Sequence, residues 1–276
     1  MEFFVVIRKR SFTKEISREF LLSGVSPSVH NRGLKSFLQG GHMSGLKTSR
    51  RILASTAAIA LAVGVTVAAG SSANAASKPV TGGTLYFITH SEQFDHVDPA
   101  RVYTGRDIAF FNSYLYRNLV SYKPVPGSAG SSLVADLATN TGVPSNAAKT
   151  WKFTLRSGIT WEDGSKITCE DVKYGVSRPF ASDVITDGPQ YLVQALDIPK
   201  AADGSSEYKG PYKKTGQALY DKAVSCQGNT ITFKLNRSFA DFNYALTYPA
   251  GAPVKASKDT GDKYDLRPFA SGPYKI

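Results

Sequence analysis

The chain has 276 residues, of which 42% are hydrophobic and 20% charged, and its formal net charge at pH 7 is +11. The charge is uneven, because residues 1–75 carry ten Lys and Arg against three Asp and Glu, whereas residues 76–276 carry 23 against 19. Binding to nucleic acid needs a clustered basic face, so the mixed charge after residue 75 argues against nucleic acid as a partner. The length after residue 75 suffices for one sizeable core or two small ones.

Residues 43–75 have the pattern of a secretory signal peptide. A short basic region precedes an uncharged apolar run over 52–70, and the segment ends in Ala73-Asn74-Ala75. Small residues at positions −3 and −1 suit signal peptidase, so we expect cleavage between Ala75 and Ala76. The alternative is a retained membrane anchor, but the run is rich in Ala, Gly, Ser and Thr and therefore weakly hydrophobic.

The sequence leaves two alternatives open for the export route and two for the start site. Residues 49–53 (SRRIL) resemble a twin-arginine export signal, and the general secretory route is equally compatible with them. No cysteine near the cleavage site could carry a lipid, so we expect an exported protein on the extracellular, cell-wall or periplasmic side of the membrane. Residues 1–42 are interpreted as an upstream extension, with Met43 as the start; a genuine leader extension is the alternative.

The first predicted elements are a strand, a helix, a short apolar element and a second strand. Residues 84–89 are rich in aromatic and β-branched residues, which predicts a strand. After a polar loop with an Asp98-Pro99 turn, apolar residues recur at helical spacing over 107–121. A short apolar element over 133–137 and an alternating strand over 150–155 follow.

The second half mixes short helices with strands. Thr168, followed three residues later by Asp171, predicts a capping box that begins a helix running towards Phe180. The polar, Gly- and Lys-rich stretch 199–216 predicts an exposed loop. The other predictions are a helix over 190–196, a strand over 230–235, a helix over 241–246, an extended segment over 252–255 and a strand over 274–276. This order indicates an α/β or α+β fold with a mixed sheet.

Cys169 and Cys226 are the only cysteines, and both follow the predicted cleavage site. An even number of cysteines in an oxidising compartment favours a disulfide, with two buried thiols as the alternative. Metal binding would require a C-x-x-C pair or nearby histidines, and the sequence has neither beside these cysteines.

Few residues have the pattern of a catalytic or metal site. His90, Asp95, His96 and Asp98 share one loop, but their spacing matches no usual zinc arrangement, so we interpret them as a solvated polar loop. The chain lacks G-x-S-x-G, P-loop and G-x-G-x-x-G motifs. We expect no catalytic residue, no metal and no cofactor. All 14 tyrosines follow residue 75; they suit sugar or peptide recognition and are equally ordinary at the edge of a core.

Several stretches resemble the family 5 extracellular solute-binding proteins of ABC importers, the oligopeptide-, dipeptide- and nickel-binding group. The likeness covers nearly all of residues 82–276. In chain order, the stretches are the Gly82-Gly83-Thr84-Leu85 opening with its Val97-Asp98-Pro99 turn, residues 151–164 (WKFTLRSGITWEDG), residues 168–174 with Cys169 where the family has Ala, residues 230–235 (TITFKL) and residues 271–276 (SGPYKI).

The resemblance implies an α/β fold, namely lobe I of a two-lobed periplasmic-binding-protein-like fold with mixed sheets. Residues 76–276 would form this N-terminal lobe. Family members are longer and close two lobes over the ligand, so we expect a truncated chain in which the second lobe is missing and strand edges are left open.

The resemblance also implies a binding protein rather than an enzyme. It would capture a peptide or related solute and deliver it to the permease and ATPase subunits of an importer, as a monomer. The alternative is an exported hydrolase, with its catalytic residues in the missing half, or a surface protein. The residues expected to face the ligand are Gln93, Phe94, Asp95, Tyr191, Tyr248 and Ala250. Two of these residues have an alternative role: Phe94 could fill the edge of the lobe, and Tyr191 could pack under its helix. Trp161 and Asp163 are predicted to have structural roles, as a packed aromatic residue and a turn residue.

Overall fold

The computed structural model describes residues 93–276 and, before them, a two-residue strand, Arg8–Lys9. The predicted signal peptide at 43–75, the predicted strand at 84–89 and His90 lie outside the described residues. Among the residues described, none of the helices is long and apolar enough to cross a membrane.

Short helices and strands alternate along the chain, and every strand pair in the described part is antiparallel. In chain order the elements are β1 (Arg8–Lys9), α1 (Gly105–Tyr114), β2 (Val120–Tyr122), β3 (Leu133–Ala135), β4 (Val143–Ser145), β5 (Thr150–Thr154), α2 (Cys169–Ser177), α3 (Tyr191–Ala195), α4 (Gly210–Lys213), α5 (Gln217–Ala223), β6 (Val224–Gln227), β7 (Thr230–Lys234), α6 (Phe242–Ala245) and β8 (Tyr274–Lys275). Short 3-10 helices occupy Ser128–Ser131, Arg178–Phe180, Pro249–Gly251, Ala256–Lys258 and Gly261–Leu266.

The largest sheet has four strands in the order β4-β5-β7-β6. In β5 the side chains alternate between buried and outward, so Trp151 and Phe153 enter the core while Lys152 faces out. On β7, Ile231 and Phe233 do the same, and Trp151 pairs with Phe233 across the strands. Two-stranded sheets join β2 to β3 and β1 to β8. The predicted elements at 133–137, 150–155, 190–196, 230–235, 241–246 and 274–276 are confirmed to within a few residues.

Helix α2 begins as the sequence predicts. The Thr168 hydroxyl accepts the Asp171 backbone N–H, and the Asp171 carboxylate accepts the Thr168 backbone N–H, so both halves of the capping box are present. The helix buries Val172 and Val176 and continues as a 3-10 turn through Phe180. Its first residue forms the predicted disulfide, Cys169–Cys226, with 5.9 Å between the two Cα atoms. The disulfide joins α2 to β6, a strand at the edge of the sheet.

The predicted helix over 107–121 is wrong beyond residue 114. Helix α1 ends at Tyr114, and Val120–Tyr122 instead pairs antiparallel with β3. The helical spacing of apolar residues continues past Tyr114 because Leu115 and Leu119 are both buried. They belong, however, to different hydrophobic clusters. Leu115 packs with α1, whereas Leu119 joins the core of the large sheet. Burial and strand pairing thus override the local helical pattern.

The predicted exposed loop over 199–216 is also partly wrong. Residues 210–213 form α4, and Tyr208 is 1% exposed, with its ring stacked on Tyr220 at 4.6 Å between centroids. Gly210 has a positive φ of 80° and lies against the backbone of Ala181, where a side chain would not fit. Although the composition of residues 199–216 is polar, Tyr208 and Gly210 pack this segment against the rest of the lobe. Helix α5 and strands β4 and β6 were not predicted.

Candidate ligand-binding face

Three tyrosines from distant segments meet at the surface, and we call Tyr103, Tyr191 and Tyr248 the tyrosine face. The hydroxyl oxygens of Tyr103 and Tyr191 are 3.0 Å apart. The ring centroid of Tyr248 lies 5.0 Å from that of Tyr191 and 6.5 Å from that of Tyr103. Tyr103 is 55% exposed and Tyr191 is 40% exposed, so their rings are open to solvent. The hydrogen bond with Tyr191 raises the pKa of Tyr103 above its ordinary value.

Each of these tyrosines stands at the start of a helical segment. Tyr103 lies two residues before α1, Tyr191 is the first residue of α3, and Tyr248 precedes the 3-10 helix Pro249–Gly251. Two buried or half-buried amides fix these segments: Asn112 Nδ2 donates to the Thr247 carbonyl at 2.8 Å, and Asn118 Nδ2 donates to the same oxygen at 3.0 Å. Since Thr247 is the neighbour of Tyr248, these bonds hold Tyr248 in place relative to α1.

The loop before α1 carries three of the residues predicted to face a ligand. Gln93 and Asp95 are exposed, whereas Phe94 is half-buried, with its ring centroid 4.9 Å from that of Phe110 and 4.8 Å from that of Phe111. The Asp95 backbone N–H donates to the buried Asp107 carboxylate at 3.2 Å. Burial alone would raise the pKa of Asp107, but its hydrogen bonds, first that from Arg106, lower it below its usual range.

Ala250 lies in the 3-10 helix next to Tyr248 and is 4% exposed. The segment packs on both α1 and α2. The structure therefore places Tyr191 and Tyr248 together, Phe94 against α1, and Ala250 beneath the surface. The assignment of all six residues to a ligand stays a prediction.

Behind the loop, a buried arginine ties three segments together. Arg178 is fully buried, and its guanidinium contacts Asp98 at 2.5 and 2.8 Å and Asp259 at 2.9 Å. The Tyr212 hydroxyl donates to Asp259 at 2.9 Å. Burial alone would lower the pKa of Arg178, but the hydrogen bonds and charge of Asp98, and the charge of Asp259, raise it above its ordinary value. The guanidinium thus stays charged and fixes the turn at Asp98.

The prediction of a solvated polar loop is wrong at Asp98, which is fully buried. Asp98 contacts Arg178, whereas His96 contacts Asp265 and Asp187. Across residues 93–276, no three His, Cys, Asp or Glu residues are grouped so that they could hold a metal ion. Trp161 is fully buried, and the Asp163 carboxylate accepts the Ser165 N–H at 2.9 Å, which confirms the structural roles predicted for both.

A shallow pocket of about 400 Å³ lies elsewhere, between α2, α4 and α5. It shares no lining residue with the tyrosine face. Its Lys173 and Asp221 are paired with each other at 2.7 Å, so part of its charge is already satisfied. The tyrosine face is the better candidate because two of its three aromatic rings are exposed.

Sequence reasoning missed two important residues. Tyr103 was one tyrosine among many, and nothing local distinguishes it, because its partner Tyr191 is 88 residues away in the sequence. Arg178 follows a helix and has no motif that identifies it as buried. Only the tertiary structure shows both roles.

The part of the chain that the structure describes is a lobe of mixed helices and sheets with two exposed tyrosine rings at one place. A sequence model of the family described as bacterial extracellular solute-binding proteins, family 5 Middle, matches residues 132–276. That match covers more than half of the chain, and the chain belongs to this family.

Comparison with solved structures finds the same fold. Clavulanic acid biosynthesis oligopeptide binding protein 2 is 37% identical, with a TM-score of 0.59 over 67% of this chain and 32% of that chain. Listeria monocytogenes OppA bound to peptide is 15% identical, with a TM-score of 0.51 over 65% of this chain and 33% of that chain. The substrate-binding domain of an oligopeptide ABC transporter from Bacillus anthracis str. Ames is 16% identical, with a TM-score of 0.51 over 66% of this chain and 33% of that chain. The two structures of lower identity share the fold alone.

No curated protein sequence matches the chain. The chain spans about a third of the length of the solved structures that it matches.

Proposed function

We propose that the chain is the substrate-binding component of an ABC importer and captures peptides or related solutes outside the cell. The observation that carries the proposal is the tyrosine face, where three segments far apart in sequence bring together two exposed tyrosine rings and the half-buried ring of Tyr248. Exposed aromatic rings are costly to leave in water, so a cluster of them at one place marks a contact surface.

Tyrosine suits the recognition of peptides. Its ring offers a rigid apolar surface, and its hydroxyl donates and accepts hydrogen bonds at the surface's edge. Tyr103 and Tyr191 already bond to each other, which orders both side chains before a ligand arrives. The name of the 37% identical relative, an oligopeptide binding protein, supports peptide as the class of solute.

The rest of the proposal follows from the family and the sequence. The chain would be exported by the segment at 43–75, with residues 76–276 supplying one lobe of the binding protein and residues 1–42 being an upstream extension. Gln93, Phe94 and Asp95 would extend the tyrosine face along the loop before α1. The protein would work as a monomer without a cofactor or catalysis, and its partners would be the permease and ATPase subunits of the importer.

A thermal-shift screen tests the function. The purified protein would be mixed with di- to pentapeptides, with sugars and with nickel, and its melting temperature recorded. A ligand that binds only the native state raises stability by about 2.7 kcal/mol at a concentration a hundred times its Kd. We expect peptides to raise the melting temperature. No rise with any peptide would contradict the proposal, and a rise with sugar or nickel alone would change the class of solute.

Two matched variants locate the site. Tyr191 and Tyr244 are both 40% exposed, but Tyr244 contacts Tyr122 and lies outside the tyrosine face. We expect Tyr191→Ala to weaken binding roughly tenfold, since it removes an aromatic contact. Tyr244→Ala should bind like the unmodified protein. Equal losses in the two variants would show that the tyrosine face is not the site.

A further inference from the structure

His96 joins two carboxylates from different segments. Its Nδ1 lies 2.7 Å from Asp265 Oδ2, in the 3-10 helix Gly261–Leu266, and its Nε2 lies 3.2 Å from Asp187 Oδ2, in the loop that leads into α3. The side chain is 29% exposed, so protons from solvent reach the ring.

The contact with Asp187 depends on the charge of the ring. An ionised carboxylate only accepts hydrogen bonds, so Nδ1 must carry a hydrogen to donate to Asp265. A neutral imidazole has a single N–H, which the hydrogen bond to Asp265 uses, so it offers Asp187 neither a hydrogen nor a positive charge. Imidazole is also the side chain whose charge normally changes between about pH 5 and pH 8. The ion pair with Asp187 is therefore present when the ring is protonated and absent when it is neutral.

The geometry decides which contact is lost. Asp265 is the nearer partner, and its Oδ1 also accepts the backbone N–H groups of Val97 and Asp98 at 2.7 Å each. Burial alone would raise the pKa of Asp265, but its hydrogen bonds, first that from His96, lower it below its usual range. Asp187 is farther away and 48% exposed. A neutral His96 thus keeps Asp265 and releases Asp187.

Arg101 is the other charged group against these carboxylates. Its Nε lies 3.3 Å from Asp187 Oδ1, and its Nη1 lies 3.7 Å from Asp265 Oδ2. Its charge does not change in this pH range, so it retains part of the attraction for Asp187. The loss of the His96 contact therefore loosens the loop rather than freeing it.

The loop that Asp187 belongs to is packed tightly and leads to the tyrosine face. Gly188 has a φ of 101°, and a Cβ placed on it would lie 2.9 Å from the Cα of Arg101. Three residues beyond Gly188, α3 begins with Tyr191. On the other side, His96 directly follows the loop residues 93–95. One ring thus connects the two segments that flank the predicted ligand-binding residues.

We propose that protonated His96 is a positioning residue that holds the 183–190 loop, and with it Tyr191, against the loop at 93–95. If the proposed function holds, the consequence is that the protein binds its ligand more tightly at about pH 6 than at about pH 8. The positioning itself needs no ligand and is tested without one.

Hydrogen–deuterium exchange of the ligand-free protein measures the loop directly. Exchange of the amides in 183–190 would be followed at about pH 6 and about pH 8 and divided by the intrinsic rate at each pH. We expect protection to fall by roughly two- to fivefold at the higher pH, the scale of a partly exposed ion pair. His96→Gln, which keeps one donor, should remove this pH dependence, and so should Asp187→Asn.

Asp183 provides the matched control. It belongs to the same loop, is 47% exposed and pairs with Lys213 at 2.9 Å, away from His96. Asp183→Asn should retain the unmodified pH dependence. Unmodified pH dependence in His96→Gln or in Asp187→Asn would overturn the proposal, as would its loss in Asp183→Asn. Because Asp187 lies at the surface, its variant should fold even if the histidine variant does not.

The same variants separate the two proposals. If pH-dependent protection is found but no peptide binds, the positioning role stands and the proposed function fails. If a peptide such as tri-alanine binds but loop protection does not depend on His96, the function stands and the positioning role fails.

Discussion

The guanidinium of Arg178 forms a two-pronged contact with the carboxylate of Asp98, 80 residues earlier in the chain, and both side chains are fully buried. The contact joins the end of α2 to the turn that follows the loop at 93–95. Asp259 reaches the same guanidinium from a third segment.

Removing this arginine should strongly destabilise the fold. Arg178→Met keeps much of the volume but leaves Asp98 and Asp259 buried without a cation, which costs about 3–5 kcal/mol of unfolding free energy. Urea denaturation measures the loss. The control is Lys213→Ala, which breaks an exposed pair with Asp183 and should cost less than about 1 kcal/mol. Equal losses would mean that burial does not set the strength of the Arg178 contacts.

The disulfide should contribute a large part of the stability. Its cysteines are 57 residues apart, so closing the loop stabilises the fold by roughly 4 kcal/mol in the chain-entropy model. Cys169→Ala with Cys226→Ala should lower the unfolding free energy by up to this amount. Reducing agent should destabilise the unmodified protein and leave the double variant unchanged. An effect of reducing agent on the double variant would point to a different cause.

The capping box of α2 gives a smaller, sharply defined prediction. Thr168→Ala removes the hydroxyl that accepts the Asp171 N–H, so the helix should lose about 1 kcal/mol. Thr168→Ser keeps the hydroxyl and should lie close to the unmodified protein. Chemical denaturation of both variants makes the comparison, and an equally destabilised serine variant would contradict the role of the hydroxyl.

Stability should fall in alkali because of Tyr208. Burial raises the pKa of this phenol to about 12, so the folded state disfavours its ionised form. A group whose pKa is raised on folding contributes stability below its unfolded pKa and loses it as the pH rises towards the folded value. The loss therefore falls between about pH 10 and pH 12 and amounts to roughly 1–3 kcal/mol.

Tyr208→Phe tests this prediction, because it keeps the ring stacked on Tyr220 and removes the ionisable group. At neutral pH the variant should remain within about 1 kcal/mol of the unmodified protein. Its alkaline unfolding midpoint should rise, although Tyr220, whose pKa burial also raises, keeps some sensitivity. An unchanged alkaline midpoint would show that Tyr208 does not control the transition.

The sequence allows prediction where the determining contacts are local. Thr168 and Asp171 lie three residues apart, so their capping box could be read from the chain, and the alternation of residues 150–154 follows from one face being buried. The helix predicted over 107–121 failed because the fate of Leu119 is decided by a distant core. The choice between α/β and α+β was left open by the order of the elements, and the lobe architecture followed from the family resemblance.

The candidate site was predictable only in part. Tyr191 and Tyr248 were selected by resemblance, whereas Tyr103 and His96 act through partners 88 and 91 residues or more away in sequence. No local spacing in the sequence predicts such contacts, because they depend on how distant loops pack around α1. The apolar pattern also predicts a longer α1 than the structure has.

The two edges of the four-stranded sheet are built differently. Strand β4 is three residues long with Pro144 at its centre, so it offers few N–H groups to an incoming strand. Strand β6, at the opposite edge, is bonded to α2 by the disulfide. Strand addition is therefore disfavoured at β4 by its proline, whereas at the other edge the disulfide ties β6 to a helix. Reduction would remove the covalent tie between β6 and α2 and leave the proline-containing edge unchanged.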